Sequence, residues 1–244
     1  MLRVSVLFGV AAALANVLGA LLVVGRREPW SPRVVQGFLG LAAGFMLSAA
    51  LLRMGPESVR LTAAAPFLIL GGYLLVHLFE HTIARHFHFG EETHSDLLVH
   101  RSVWISALGG LLVHSLFDGI SIGSGFLISP GLGLLVFSAI VLHKAPEGFA
   151  IASLMVAAGT GRAWALGGAV AVGAASVIGV VAVQSLATYV GFALALSTGA
   201  TLYVAASDLI PEVNRSESIT MPLLVFAGVL LFWLSERALE SLGL

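Results

Sequence analysis

Two histidines in this chain each stand four residues ahead of a carboxylate: His114-Ser-Leu-Phe-Asp118-Gly119 and His143-Lys-Ala-Pro146-Glu147-Gly148. An α-helix turns about 100° per residue, so a spacing of four returns the acid to the histidine's face, about 6 Å along the axis. Each pair can therefore aim two side chains at one point. The residues on either side are mostly Leu, Ile, Val, Ala and Gly, and an ionisable group at membrane depth costs about 3 kcal/mol or more. Two imidazoles and two carboxylates supply the nitrogen and oxygen donors that suit a divalent transition metal. A single histidine in such a helix reads as a packing residue with a satisfied hydrogen bond. Two histidine–acid pairs on neighbouring helices read as a metal site.

The elements that must position these residues follow from composition. The chain has 244 residues, 58% of them hydrophobic and 10% charged, with a mean hydropathy of +1.01. That is an all-α integral membrane protein, because in lipid every backbone polar group must find its partner within the segment. A net charge of -1 with scattered Lys and Arg leaves no basic stripe, which excludes nucleic acid as a partner. With no cysteine there is no disulfide framework and no thiolate ligand, so a bound metal must be held by harder donors.

Cutting at charges and turn residues gives eight apolar spans in one membrane domain, 1–244: approximately 4–24, 34–54, 66–85, 103–126, 131–158, 163–187, 190–211 and 221–240. Each reaches the roughly 20 residues that a helical crossing needs. The first is too long for a secretory h-region and reads as a retained helix. Spans four and five are joined by Ser129-Pro130-Gly131, so they form an antiparallel hairpin that brings the two motifs together near mid-membrane. Pro146 should kink span five and free carbonyls near Leu142 and His143. Gly119 and Gly148 should let backbones approach or unwind there. Span two carries Gly44 ahead of Pro56-Glu57 and span seven Gly199 ahead of Pro211-Glu212 at the same distance. These spans run in opposite directions, so the match points to an inverted repeat; alternatively, Pro and Glu simply terminate a helix there.

Arg26, Arg27, Arg33, Arg85, Arg101, Arg162 and Arg215 fall on one side, against Arg3, Arg53, Arg60 and Arg237 on the other. The positive-inside rule makes the richer side cytoplasmic and puts both termini outside. Span three ends in His77-Leu-Phe-Glu80-His81, and a histidine-rich cytoplasmic loop over 86–101 follows, with His86, His88, His94 and His100. Such a tract binds metal weakly and could receive or sense an ion at the inner mouth.

At the paired motifs the sequence resembles the ZIP (Zrt/Irt-like protein) family of divalent metal-ion transporters. His114-Ser-Leu-Phe-Asp118-Gly119 resembles the family's fourth-helix His-Asn-x-x-Asp/Glu-Gly, and His143-Lys-Ala-Pro146-Glu147-Gly148 its fifth-helix His-x-x-Pro-Glu/His. The resemblance implies eight helices in a 3+2+3 arrangement of inverted repeats, a homodimer, and helices one, four, five and six sliding against the rest. It also implies a metal site at His114, Asp118, His143 and Glu147 and movement of zinc toward the cytoplasm by elevator-type alternating access. The metal is cargo and there is no prosthetic group. Iron, manganese and cadmium fit the same donors, and affinity order alone does not choose among them. Three departures concern a second site. Ser115 stands where many members carry Asn, Lys144 where some carry an acid, and span six lacks the Glu that can complete that site. Lys144 should pair with Asp118 or Glu147 and leave one metal per chain. An inner (plasma) membrane of a bacterium or archaeon is the expected location. A passive metal channel and an intramembrane zinc hydrolase are the competing functions, and the absence of His-Glu-x-x-His counts against the hydrolase.

Overall fold

A chain this apolar can satisfy its backbone in lipid only as helix, and the computed structural model, which describes residues 2–25, 32–82, 101–214 and 218–243, follows that rule throughout. The elements are α1 (Leu2–Val24), α2 (Pro32–Ser48), a π-helical turn (Ala49–Met54), α3 (Gly55–Leu61), α4 (Ala65–Thr82), α5 (Arg101–Ile128) and α6 (Pro130–Ala157). There follow α7 (Arg162–Gln184), a 3-10 turn (Ala187–Tyr189), α8 (Val190–Tyr203), a second π-helical turn (Val204–Leu209), α9 (Ile210–Asn214) and α10 (Thr220–Ser241). Among the described residues, seven helical segments are long and apolar enough to cross a membrane. The eighth helix, α4, spans 18 described residues and ends in His77, Glu80, His81 and Thr82, which lower its hydropathy.

The packing is inside-out relative to a water-soluble protein. On α1 the buried residues are Ser5, Gly9, Ala12, Asn16, Gly19 and Ala20, while Leu7, Leu14 and Leu18 face outward. Small side chains let helices approach where lipid gives no hydrophobic drive to associate, and large apolar ones face the acyl chains. The same logic acts where the motifs lie. A Cβ on Gly119 would land on the Ser176 carbonyl of α7, and one on Gly148 on the Asn16 carbonyl of α1. These glycines serve close approach. Unwinding is not their role, since α5 and α6 are each continuous through them, and α6 also runs unbroken past Pro146.

The second and seventh spans differ from the sequence reading. The helix expected to stop near 54 continues through a π turn to Leu61, and its counterpart continues past Pro211 to Asn214. Proline lacks the N–H and crowds the carbonyl one turn back. The wider π turn takes up that mismatch just upstream: Gly55 N–H donates to the Ala50 carbonyl and Ile210 N–H to the Ala205 carbonyl, each directly before the proline. Pro56 and Pro211 therefore sit inside helices and do not end them. The two π turns, Gly44 and Gly199, and the two prolines keep one constant offset. Packing repeats as well: α1 lies on α6 as α7 lies on α5, α2 on α10 as α8 on α4, and α2 on α6 as α8 on α5.

The hairpin of α5 and α6 is the centre on which these pairs converge. Ser129 caps α6, its Oγ accepting from Leu132 N at 3.1 Å, with Pro130 in the first turn. Toward the turn, Met54, Phe126, Leu132, Val136, Ile140 and Leu194 form a buried apolar cluster. Toward the other ends, Leu111, Ile151, Met155 and Val172 form another. The charged residues lie between the two.

Candidate metal centre

His114 and Asp118 share one face of α5, and His143 and Glu147 one face of α6, as the spacing of four requires. One ligand atom from each of the four lies within 4.8 Å of the other three, and all four residues are buried. Asp118 Oδ2 is 3.2 Å from His114 Nε2 and 3.2 Å from His143 Nε2, and the two imidazole nitrogens are 3.4 Å apart. Zinc bonds of about 2.0–2.1 Å in a tetrahedron place neighbouring ligands about 3.3 Å apart. The His114–Asp118–His143 triangle thus has the edges of one face of a zinc tetrahedron.

His143 Nδ1 lies 3.2 Å from the Ala139 carbonyl. Assigning the ring proton there, as a donor to that carbonyl, turns the Nε2 lone pair toward Asp118 and His114. A carboxylate oxygen and an imidazole lone pair then face each other in a water-poor interior. Such convergence is stable only with a cation or a proton between the acceptors.

Lys144 follows His143 and points to the neighbouring face of α6. It is completely buried, with its Nζ 2.8 Å from Asp118 Oδ2 and 2.5 Å from Glu147 Oε2. It also donates to Ser115 Oγ at 2.5 Å, and Ser115 in turn donates to Glu147 Oε1 at 2.7 Å. The ammonium therefore meets both acids of the cluster, and Ser115 closes the network. All six candidate residues, His114, Ser115, Asp118, His143, Lys144 and Glu147, come together.

Other residues had no functional reading in the sequence. Asp208 sits in the second π turn, 6% exposed, with its Oδ1 lacking a hydrogen-bond partner among the described residues. From the sequence it reads as part of a helix end ahead of Pro211; the one signal for burial was an acid inside an otherwise apolar run. Asn16, completely buried beside Gly148, has neither amide atom bonded among the described residues. On α4 the His77 and His81 ring centroids lie 4.1 Å apart with the rings tilted by 34°, and Tyr73 bonds Ser207 of the π turn at 2.7 Å. The histidine-rich loop expected over 86–101 lies outside the described residues except for Arg101, where α5 begins.

A multi-spanning helical protein with two histidines and two carboxylates clustered in the buried space between its central helices fits the class of membrane metal-ion transporters. Comparison with known proteins places it further. The family model of the ZIP zinc transporters matches residues 90–234. The chain is 31% identical to "Zinc transporter ZIPB" of Bordetella bronchiseptica, over 96% of this chain and 81% of that protein. It is 30% identical to "Zinc transporter ZIP9" of Micropogonias undulatus, over 59% of this chain and 49% of that one. A match to "Zinc transporter SLC39A7" of Canis lupus familiaris, 30% identical, covers 57% of this chain and 32% of that protein. The chain belongs to the ZIP family.

Proposed function

We propose that this protein moves zinc across a bacterial or archaeal inner membrane toward the cytoplasm, taking the ion on His114, Asp118, His143 and Glu147. The observation that carries the reading is the buried triangle of His114, Asp118 and His143, whose edges of 3.2–3.4 Å suit one tetrahedral metal. Iron, manganese and cadmium are alternative cargo for the same donors.

Two observations favour a carrier over the competing functions. The apolar cluster around Met54, Phe126, Leu132, Val136 and Ile140 packs the hairpin side of the site shut, which supports alternating access over an open channel. A hydrolase needs a general base beside its metal that is not itself a ligand; both acids of the cluster, Asp118 and Glu147, are assigned here to the ion. The protein is therefore read as a transporter with no enzymatic activity. The recurring π turns and the paired helix contacts support the 3+2+3 inverted-repeat plan and a single membrane domain over 1–244. A homodimer and elevator movement of α1, α5, α6 and α7 rest on the family resemblance, and external termini on the distribution of arginines.

Uptake into proteoliposomes, measured with zinc, iron, manganese and cadmium in turn, tests the reading. Saturable, temperature-sensitive zinc entry is expected. Flux that rises linearly with concentration would point to a channel, and no flux of any of the four ions would overturn the proposal.

A further inference from the structure

An ammonium held away from water is expensive unless every proton it carries finds an acceptor. Lys144 meets that condition completely, since its three N–H groups have three partners: Asp118 Oδ2 at 2.8 Å, Glu147 Oε2 at 2.5 Å and Ser115 Oγ at 2.5 Å. Nothing of the side chain is exposed. Such an environment is built for a permanent positive charge.

Its position matters as much as its pairing. Asp118 and Glu147 are the two carboxylates of the cluster, and the ammonium lies between them. A second ion bridging these acids, beside the one held with the imidazoles, would have to occupy the place the ammonium holds. His114, His143 and the shared Asp118 oxygen are left on the other side as a nitrogen- and oxygen-lined triangle. Divalent ions that share a bridging carboxylate stand about 3.5–4 Å apart. Here one of the two places is filled by the protein's own cation, and like charge in a low-dielectric interior opposes a further dication nearby.

Resting on the transport reading above, the geometry points to Lys144 as a built-in cation that fills the second cation position of the cluster, so that each chain binds a single dication. The device has a consequence for the cycle. Loaded or empty, the two acids always keep one positive partner, so the emptied site does not leave two bare carboxylates facing each other in the membrane. Ser115 is the positioning residue: it accepts from Lys144 and donates to Glu147, fixing the ammonium on the α5 side.

Metal content separates this inference from the reading it rests on. Full-length protein, purified in detergent and equilibrated with zinc, is analysed for zinc per chain, and crystals are measured at the zinc absorption edge. One zinc per chain and one anomalous peak beside His114 and His143 are expected. In Lys144→Asp the count should rise toward two, with a second peak about 4 Å away. Lys144→Ser, which buries no additional acid, provides a second variant should Lys144→Asp fail to fold, and its count should also exceed one. Two zinc ions per chain in the unaltered protein would overturn the inference, as would a count fixed at one in a folded Lys144 variant. No zinc at all in the unaltered protein would overturn the transport reading itself.

Discussion

The side chains around the donor triangle differ in what their removal should do. His143→Ala deletes a nitrogen whose neighbours, Asp118 and His114, stay in place. Loss of a mere outer partner typically costs 10–100-fold in metal affinity, so loss of this donor should weaken zinc binding by about 100-fold or more in titration calorimetry. Ser115→Ala removes the bridge between Lys144 and Glu147 and leaves the triangle intact. Its effect should stay near the lower end of that outer-partner range, about tenfold. Equal losses in the two variants would contradict the division into donors and supporting network. Metal binding needs neutral imidazoles and ionised carboxylates, so zinc affinity should weaken in acid; affinity that tightens as pH is lowered would contradict a site built on these donors. Most of this scale was legible in the sequence, because a spacing of four fixes a common helix face whatever the tertiary structure. Asp208 was not, because an acid just before Pro211 has the same local pattern whether it faces solvent at a helix end or lies buried in a π turn.

At the scale of helices, the central hairpin is held by backbone contact at single glycines. Gly148→Ala would drive a methyl onto the Asn16 carbonyl, whereas a methyl at Gly71 on α4 meets nothing within 4 Å. Overpacking in a close-packed site costs about 1–3 kcal/mol, while Gly-to-Ala in an open helix gains up to about 1 kcal/mol of propensity. Thermal unfolding in detergent should show Gly148→Ala less stable than the parent and Gly71→Ala equal or more stable. The reverse order would mean that α1 and α6 are not packed backbone to backbone. Hydropathy located the long apolar runs and the Ser129-Pro130-Gly131 turn within a few residues, since both rest on composition and local turn chemistry. The continuation of α2 into α3, and of α8 into α9, was not legible. A proline inside a helix depends on how the preceding turn widens, and residues such as Ala49–Met54 carry no local mark of that widening.

Among the described residues, five of the buried ionisable groups, His114, Asp118, His143, Lys144 and Glu147, gather in one place. Apolar clusters pack the hairpin side and the opposite ends, and the histidine–carboxylate cluster lies between them. The repeated π turns and the matched contacts α1–α6 with α7–α5 give the two halves the same helix partners. The proposed inverted repeat would let the two halves rock so that the site opens to one side or the other. Family and class were legible from the two central motifs, which needed no knowledge of packing. The partnership of Lys144 with both acids at once required the three-dimensional register of α5 against α6, which sequence spacing does not fix.

The central claim is that one buried triangle, shared between α5 and α6, carries the transported ion. Initial rates of radioactive zinc uptake into proteoliposomes, comparing the unaltered protein with Asp118→Asn at equal reconstituted amounts, test it most directly. Asparagine keeps the shape of the side chain and removes the anionic oxygen common to both imidazoles and Lys144. Saturable uptake should fall to the level of protein-free vesicles while the variant remains folded by circular dichroism and size-exclusion chromatography. Uptake by folded Asp118→Asn at the unaltered rate and concentration dependence would contradict the claim.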